Sequence, residues 1–174
     1  MRSITFILAP AMLLASSAVA GAAEAVPPSP VKIAVFPFEL VDFSAAAPYV
    51  PADDIDREQL RHSTEEARRL IAESGRYQLV DTGTANEQIA KAGQLRDCEG
   101  CEAGIAAGLA ADQSMIGIVT RITRTEYAVT YKIRDARSGG LVDVQQTDLR
   151  MGANVAWSRG ARWLIQRRLL ERPQ

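Results

Sequence analysis

The stretch RDCEGCEAG, Arg96 to Gly104, carries the chain's two cysteines, Cys98 and Cys101. A Cys-x-x-Cys pair can serve four chemistries: thiol–disulfide exchange, half of a zinc site, attachment of a c-type haem, or a structural disulfide. Haem attachment needs a histidine directly after the second cysteine, and Glu102 stands there. A structural zinc site needs four ligands; His62 is the single histidine, and there is no second cysteine pair. Exchange chemistry needs a stabilised thiolate. Unpaired backbone N–H groups at a helix start supply that stabilisation, and Cys98 stands where a helix could begin. Asp97, Glu99 and Glu102 act the other way, because negative neighbours disfavour a thiolate. The residues favour a disulfide between Cys98 and Cys101, with a redox-active pair as the alternative.

The segment PADDIDREQL offers Asp53, Asp54, Asp56 and Glu58. Clustered carboxylates can hold a hard cation such as Ca²⁺ through oxygen. The spacing lacks the glycine and closing glutamate of an EF-hand loop, and acids in a first helical turn are also favoured by the helix dipole. Asp53, Asp54 and Asp56 remain the candidate metal residues, in an Asp42–Asp56 loop that could take a small ligand or cation. His62 with Glu65 and Glu66 has the composition of an acid–base site, but lies in a polar helical stretch that solvent would cover. No Ser-His-Asp spacing, phosphate-binding glycine loop or glycosidase-like carboxylate pair is present, so no catalytic set and no cofactor is implied. Near the C-terminus, Arg159, Arg162, Arg167, Arg168 and Arg172 stand against one acid, Glu171. Such a run complements a helix C-terminus, or offers a surface to an acidic partner or anionic envelope lipid.

The setting of these groups follows from the rest of the chain. It opens MRSITFILAPAMLLASSAVAGAAEA. A positive Arg2, a short apolar run and Ala-x-Ala predict a signal peptide over 1–23, cleaved after Ala20 or Ala23. The run is too short for a spanning helix, which needs about 20 apolar residues. The mature chain is therefore expected in the periplasm without a transmembrane segment, in an oxidising compartment where the cysteines can pair. Residues 24–30 are a proline-rich linker, and 31–172 form a single domain. With 47% hydrophobic and 24% charged residues and a net charge of −1, the composition is globular and excludes bulk binding to nucleic acid.

Within 31–172, VKIAVFPFEL is apolar on both faces and predicts a buried strand of a mixed or parallel sheet, limited by Pro37. A long loop follows. Arg57–Ser74 has helical spacing, and GRYQLVD ends that helix and starts a second strand, which implies a right-handed crossover and a parallel pair. Thr84–Ala92 predicts a short helix capped by Thr82 or Thr84, and Ala103–Ala111 another. From Ser114 the period becomes two. Three strands with a turn at Ser138-Gly139-Gly140 predict an antiparallel meander with one buried face. A helix over Asn154–Leu170 carries Trp157, Ala161, Leu164 and Ile165 on one side. The order is β-α-β-α-α-β-β-β-α: an α/β (α+β) fold, one mixed sheet with helices packed on it. Val35, Phe36, Ile71, Leu79, Ile118 and Val129 are the expected core.

The segments KIAVFPFEL, GRYQLVD, GLAADQSMIGIVTRI and DARSGGLVD resemble the small α/β domain at the amino end of TolB and in the curli-assembly protein CsgG. With the paired cysteines and AWSRGARWLIQRRL, the chain more closely resembles an uncharacterised family of exported bacterial proteins, over about Val31–Leu170. It departs from the pattern at Ala110-Ala111-Asp112, where Gly-Ala-Asp is expected, and it has no β-propeller and no pore-forming hairpins. The resemblance implies a non-catalytic periplasmic accessory or binding module that meets another cell-envelope component. The alternatives are a thiol–disulfide oxidoreductase using Cys98 and Cys101, and a small-ligand or cation-binding protein.

Overall fold

Ile33, Ala34 and Val35 are fully buried in the first strand, Val31–Val35 (β1). The computed structural model describes residues 29–172; the expected signal peptide, 1–23, and residues 24–28 of the expected linker lie outside the described residues. β1 is central, paired on both edges by parallel neighbours, Tyr77–Val80 (β3) and Gln113–Thr123 (β4), and its two faces enter two separate apolar clusters. Pro37 has no N–H to give a ladder, and β1 stops before it. The chain then resumes as Glu39–Asp42 (β2), parallel to a later part of β4, from Glu39 opposite Ile118 to Asp42 opposite Arg121. The one strand expected here is thus two, broken at the proline. The helix that follows, Asp54–Glu73 (α1), ties the break down: Phe38 N donates to Thr64 Oγ1 at 2.8 Å, and Arg68 donates to Val35 O.

α1 begins three residues before the expected Arg57, because the Asp53 side chain accepts from Asp56 N at 2.8 Å and caps it. β3 follows at the sheet edge. A 3₁₀ turn, Gly83–Ala85, leads into Asn86–Ala92 (α2). Thr82 does not cap it; its hydroxyl accepts from Arg68 instead. Cys101–Gly108 (α3) leads into β4, then Glu126–Asp135 (β5) and Leu141–Gln146 (β6), with the β5–β6 turn over Ser138–Gly140 as expected. A further two-residue strand, Arg150–Met151 (β7), pairs with the far end of β5. The last helix, Trp157–Leu164 (α4), widens into π-helical winding over Ile165–Leu170.

The result is one mixed sheet in the order β3-β1-β4-β5-β6, with β2 beside β4 and β7 beside β5. α1 and α4 cover one face, where Ile33, Val35, Met115, Val119 and Val129 meet Ile71, Trp157 and Leu164. The cysteine loop and α3 cover part of the other, where Ala34, Phe36, Ile116 and Ile118 meet Leu95 and Ala106. The centre of the meander is therefore buried on both faces, not one. Of the expected core, Val35, Phe36, Ile71, Ile118 and Val129 are buried; Leu79, on the edge strand β3, is only partly so.

α3 ends at Gly108, and two residues beyond it Ala110 has a φ of +57°. An L-residue with a Cβ is strained there and glycine is not. This is the position where the resembling pattern has glycine. Ala110→Gly should raise stability by about 0.5–1 kcal/mol, read as a Tm increase of about 1–4 °C. A lower Tm would contradict the left-handed turn.

Candidate functional site

Cys98 and Cys101 form a disulfide with Cα atoms 5.5 Å apart. Cys98 closes the 3₁₀ turn Leu95–Asp97, and Cys101 is the first residue of α3. The helix start therefore belongs to Cys101, not to Cys98. Cys98 Sγ lies 3.1 Å from Leu95 O and 3.6 Å from Glu102 Oε2, so oxygens surround the sulfur that a thiolate would need to be cationic around. Glu102 is 2% exposed and forms an ion pair with Arg134 Nε of β5 at 3.0 Å; the guanidinium also donates to Gly139 O. At the other end of the loop, Glu39 of β2 accepts from Leu95 N at 2.7 Å, Arg96 N at 3.1 Å and Arg96 Nη1 at 3.1 Å. Two long-range carboxylate contacts thus fasten the cysteine loop to the sheet. Cys98, Cys101 and Glu102 bring donor atoms within 4.8 Å of one another, but the two sulfurs are bonded to each other.

The clip closes a very short loop, so its entropic effect is small. Replacing both cysteines by serine should cost about 1–2 kcal/mol, below the 2–4 typical of longer loops, and lower Tm by about 2–8 °C. A double variant that no longer folds would show that the loop, not only the bond, depends on the sulfurs.

The acidic candidates point in different directions. Asp53 caps α1, and Asp54 is exposed and paired with Arg57. Asp56 is 4% exposed and accepts from Arg121 and, at 3.0 Å, from Asn154 Nδ2. Arg121 also donates to Asp42 at 2.8 Å and lies 5.1 Å over the Trp157 ring. Burial pushes the Asp42 carboxyl up, but hydrogen bonds from Ser44 and Arg121 overcome it and hold the pKa below the ordinary value. Asp56, Arg121 and Asn154 of this cluster wall a small cavity of about 170 Å³, together with Val50, Asp53 and Arg124 among others. It joins residues far apart in sequence, and spacing alone did not reveal it. The one signal was Asp56 itself, four residues before Leu60 on the apolar stripe of α1. His62 is exposed, with Nε2 3.0 Å from Glu58 and Nδ1 3.9 Å from Glu65. Glu66 is engaged by Arg69 and Arg162.

The arginines of the last helix divide into two sets. Arg162 pairs with Glu66 at 2.5 Å and Arg167 with Glu171 at 2.7 Å. Arg168 lies over the Trp163 ring at 5.8 Å, and Arg150 of β7 lies over the same ring at 4.4 Å. Arg159 is exposed.

The C-terminal domain of LpoB from Salmonella enterica shares this fold with a TM-score of 0.50 at 13% identity, over 74% of this chain and 87% of that one. Lipoprotein GNA1162 from Neisseria meningitidis matches with a TM-score of 0.47 at 16% identity, over 72% and 84%. TolB from Acinetobacter baumannii matches with a TM-score of 0.44 at 13% identity, over 81% of this chain and 29% of that one. At these identities the likeness concerns the fold. No curated protein matches the sequence. Residues 31–169, from β1 into the last helix, match the family DUF3280, described as a protein of unknown function (DUF2380). The chain belongs to that family.

Proposed function

We propose that this chain is a non-catalytic accessory module, exported to the periplasm, that binds another component of the cell envelope. The cysteine loop carries the reading. A closed disulfide fits an oxidising compartment, and the oxygens around Cys98 suit a clip better than an attacking thiolate. The buried and half-buried carboxylates support the same view. Glu102, Asp56 and Glu39 are each committed to an arginine or to backbone N–H groups that hold the fold together. Among the described residues no helix is long and apolar enough to cross a membrane.

The test is to express the full chain and recover it by osmotic shock. The periplasmic form should have an intact mass starting near Gly21 or Glu24 and no free thiols. It should leave insulin unreduced in the presence of dithiothreitol beyond the uncatalysed rate. A full-length mass in the cytoplasmic fraction would count against export. The second reading, thiol–disulfide exchange, has one observation in its favour: Cys101 heads α3, where backbone N–H groups favour a thiolate once the bond is reduced. A reduction potential in the range of known oxidants, with insulin reduction lost in the double serine variant, would establish that reading instead.

A further inference from the structure

We infer that the groove between β7 and α4 is the docking site for an acidic, apolar peptide segment of the envelope partner, an inference that rests on the binding-module reading above. The groove measures about 320 Å³ and is lined by Tyr127, Leu149, Arg150, Met151, Arg159 and Gly160, among others, with two arginines and no acid. Gly160 creates it. A Cβ there would stand 2.9 Å from the Tyr127 ring, so only glycine lets α4 lie this close to β5. Leu149, Met151 and Val155 are 56%, 73% and 62% exposed around it. Such side chains gain from burial at roughly 25 cal/mol per Å².

The charge is what identifies the occupant. Arg162 and Arg167 have carboxylate partners. Arg150, Arg159 and Arg168 have none among the described residues, and Arg150 Nε is buried without any acceptor. Asp148, next to Leu149, forms no ion pair with them. Two of these guanidiniums stack on Trp163. Stacking holds the plane and leaves its edge N–H groups free for a carboxylate. A rim of exposed apolar side chains around unneutralised guanidiniums complements a segment in which Asp or Glu alternates with large apolar residues. A bilayer is the poorer fit. Headgroups at a flat surface would reach Arg159, but Arg150 lies inside a concavity that an inserted chain can fill.

The experiment places photoreactive benzoylphenylalanine at Met151, and separately at Val142 near the opposite end of β5, in the full chain made in its own cells. Irradiation at Met151 should give a discrete protein adduct whose cross-linked peptide is acidic and apolar. Arg159→Glu, an exposed change that should melt like the wild type, should cut the adduct about tenfold; Arg168→Glu gives a second, independent reading of the same effect. An adduct indifferent to both reversals, or one to lipid alone, overturns the inference. An adduct from Val142 and none from Met151 overturns the groove but leaves the binding module standing. No adduct at either position overturns both.

Discussion

Gly117→Ala should destabilise the protein by about 3 kcal/mol or more, the upper end of overpacking costs, and lower Tm by about 6–12 °C. A Cβ at this position would fall 2.2 Å from Phe38 Cε1 and 2.3 Å from Cδ1 and Cζ. The ring borders a groove beside Pro37, Leu60 and Arg68, but is otherwise enclosed. Phe38 is 4% exposed, its N–H is held by Thr64, and it packs in the cluster that α1 closes. Interiors are packed nearly as densely as organic crystals, so a methyl pushed into a ring must displace backbone or helix. Phe38→Leu in the same chain should relieve part of the overlap, so the double variant should lose less than the two single losses summed. Thermal melts of the three variants decide it. A Gly117→Ala protein that melts like the wild type would show that Phe38 does not cover β4 there, and the break between β1 and β2 would be wrongly placed.

That break also shows where the sequence stops being informative. Period-two alternation located β4, β5 and β6, and the 3.6 period located α1 and the last helix, because each is a local pattern read along one segment. Pro37 limits β1 in the structure as its missing N–H predicts. The resumption at Glu39 depends on β4, some eighty positions on, being long enough to serve both pieces. The expectation of one buried face in the meander was reasonable for an antiparallel sheet, but the cysteine loop and α3 cover part of the second face. Their docking depends on Glu39 capping Leu95 and Arg96, and on Glu102 meeting Arg134. In the sequence Glu102 is one of three negative neighbours of the cysteines. Only the tertiary fold reveals that it is buried with a cation from β5. The C-terminal arginines were visible as a run. Which of them are neutralised was not, because Glu66 and Trp163 divide them in space rather than in sequence.

Arg121→Met should cost about 3–5 kcal/mol, the usual penalty for removing one partner of a buried ion pair. Methionine keeps most of the stem, so the loss isolates the charge. Arg121 Nη1 holds Asp42, Nη2 holds Asp56, and the guanidinium lies over Trp157. The side chains of Arg121, Asp42 and Asp56 are 16%, 16% and 5% exposed, so solvent screens the pairs only weakly. Without the arginine, Asp56 keeps Asn154 as donor but has no counter-charge. Asp56→Asn on the Arg121→Met background should therefore recover much of the loss, giving a coupling energy well above the scatter of additive pairs. The pH dependence has a fixed sign. Asp42 has a folded pKa below its ordinary 3.8. Its contribution is therefore fully present above about pH 5 and disappears as pH falls through the lowered folded value. The wild type should lose this increment on acidification, and Arg121→Met, which has already lost the share that Arg121 supplies beside the Ser44 hydrogen bonds, should show a shallower acid limb. Urea melts of both proteins at pH 7 and pH 3 test the point. Equal acid slopes would mean that the Asp42 shift comes from the Ser44 hydrogen bonds alone, and that Arg121 stabilises the sheet end through Asp56 and Trp157.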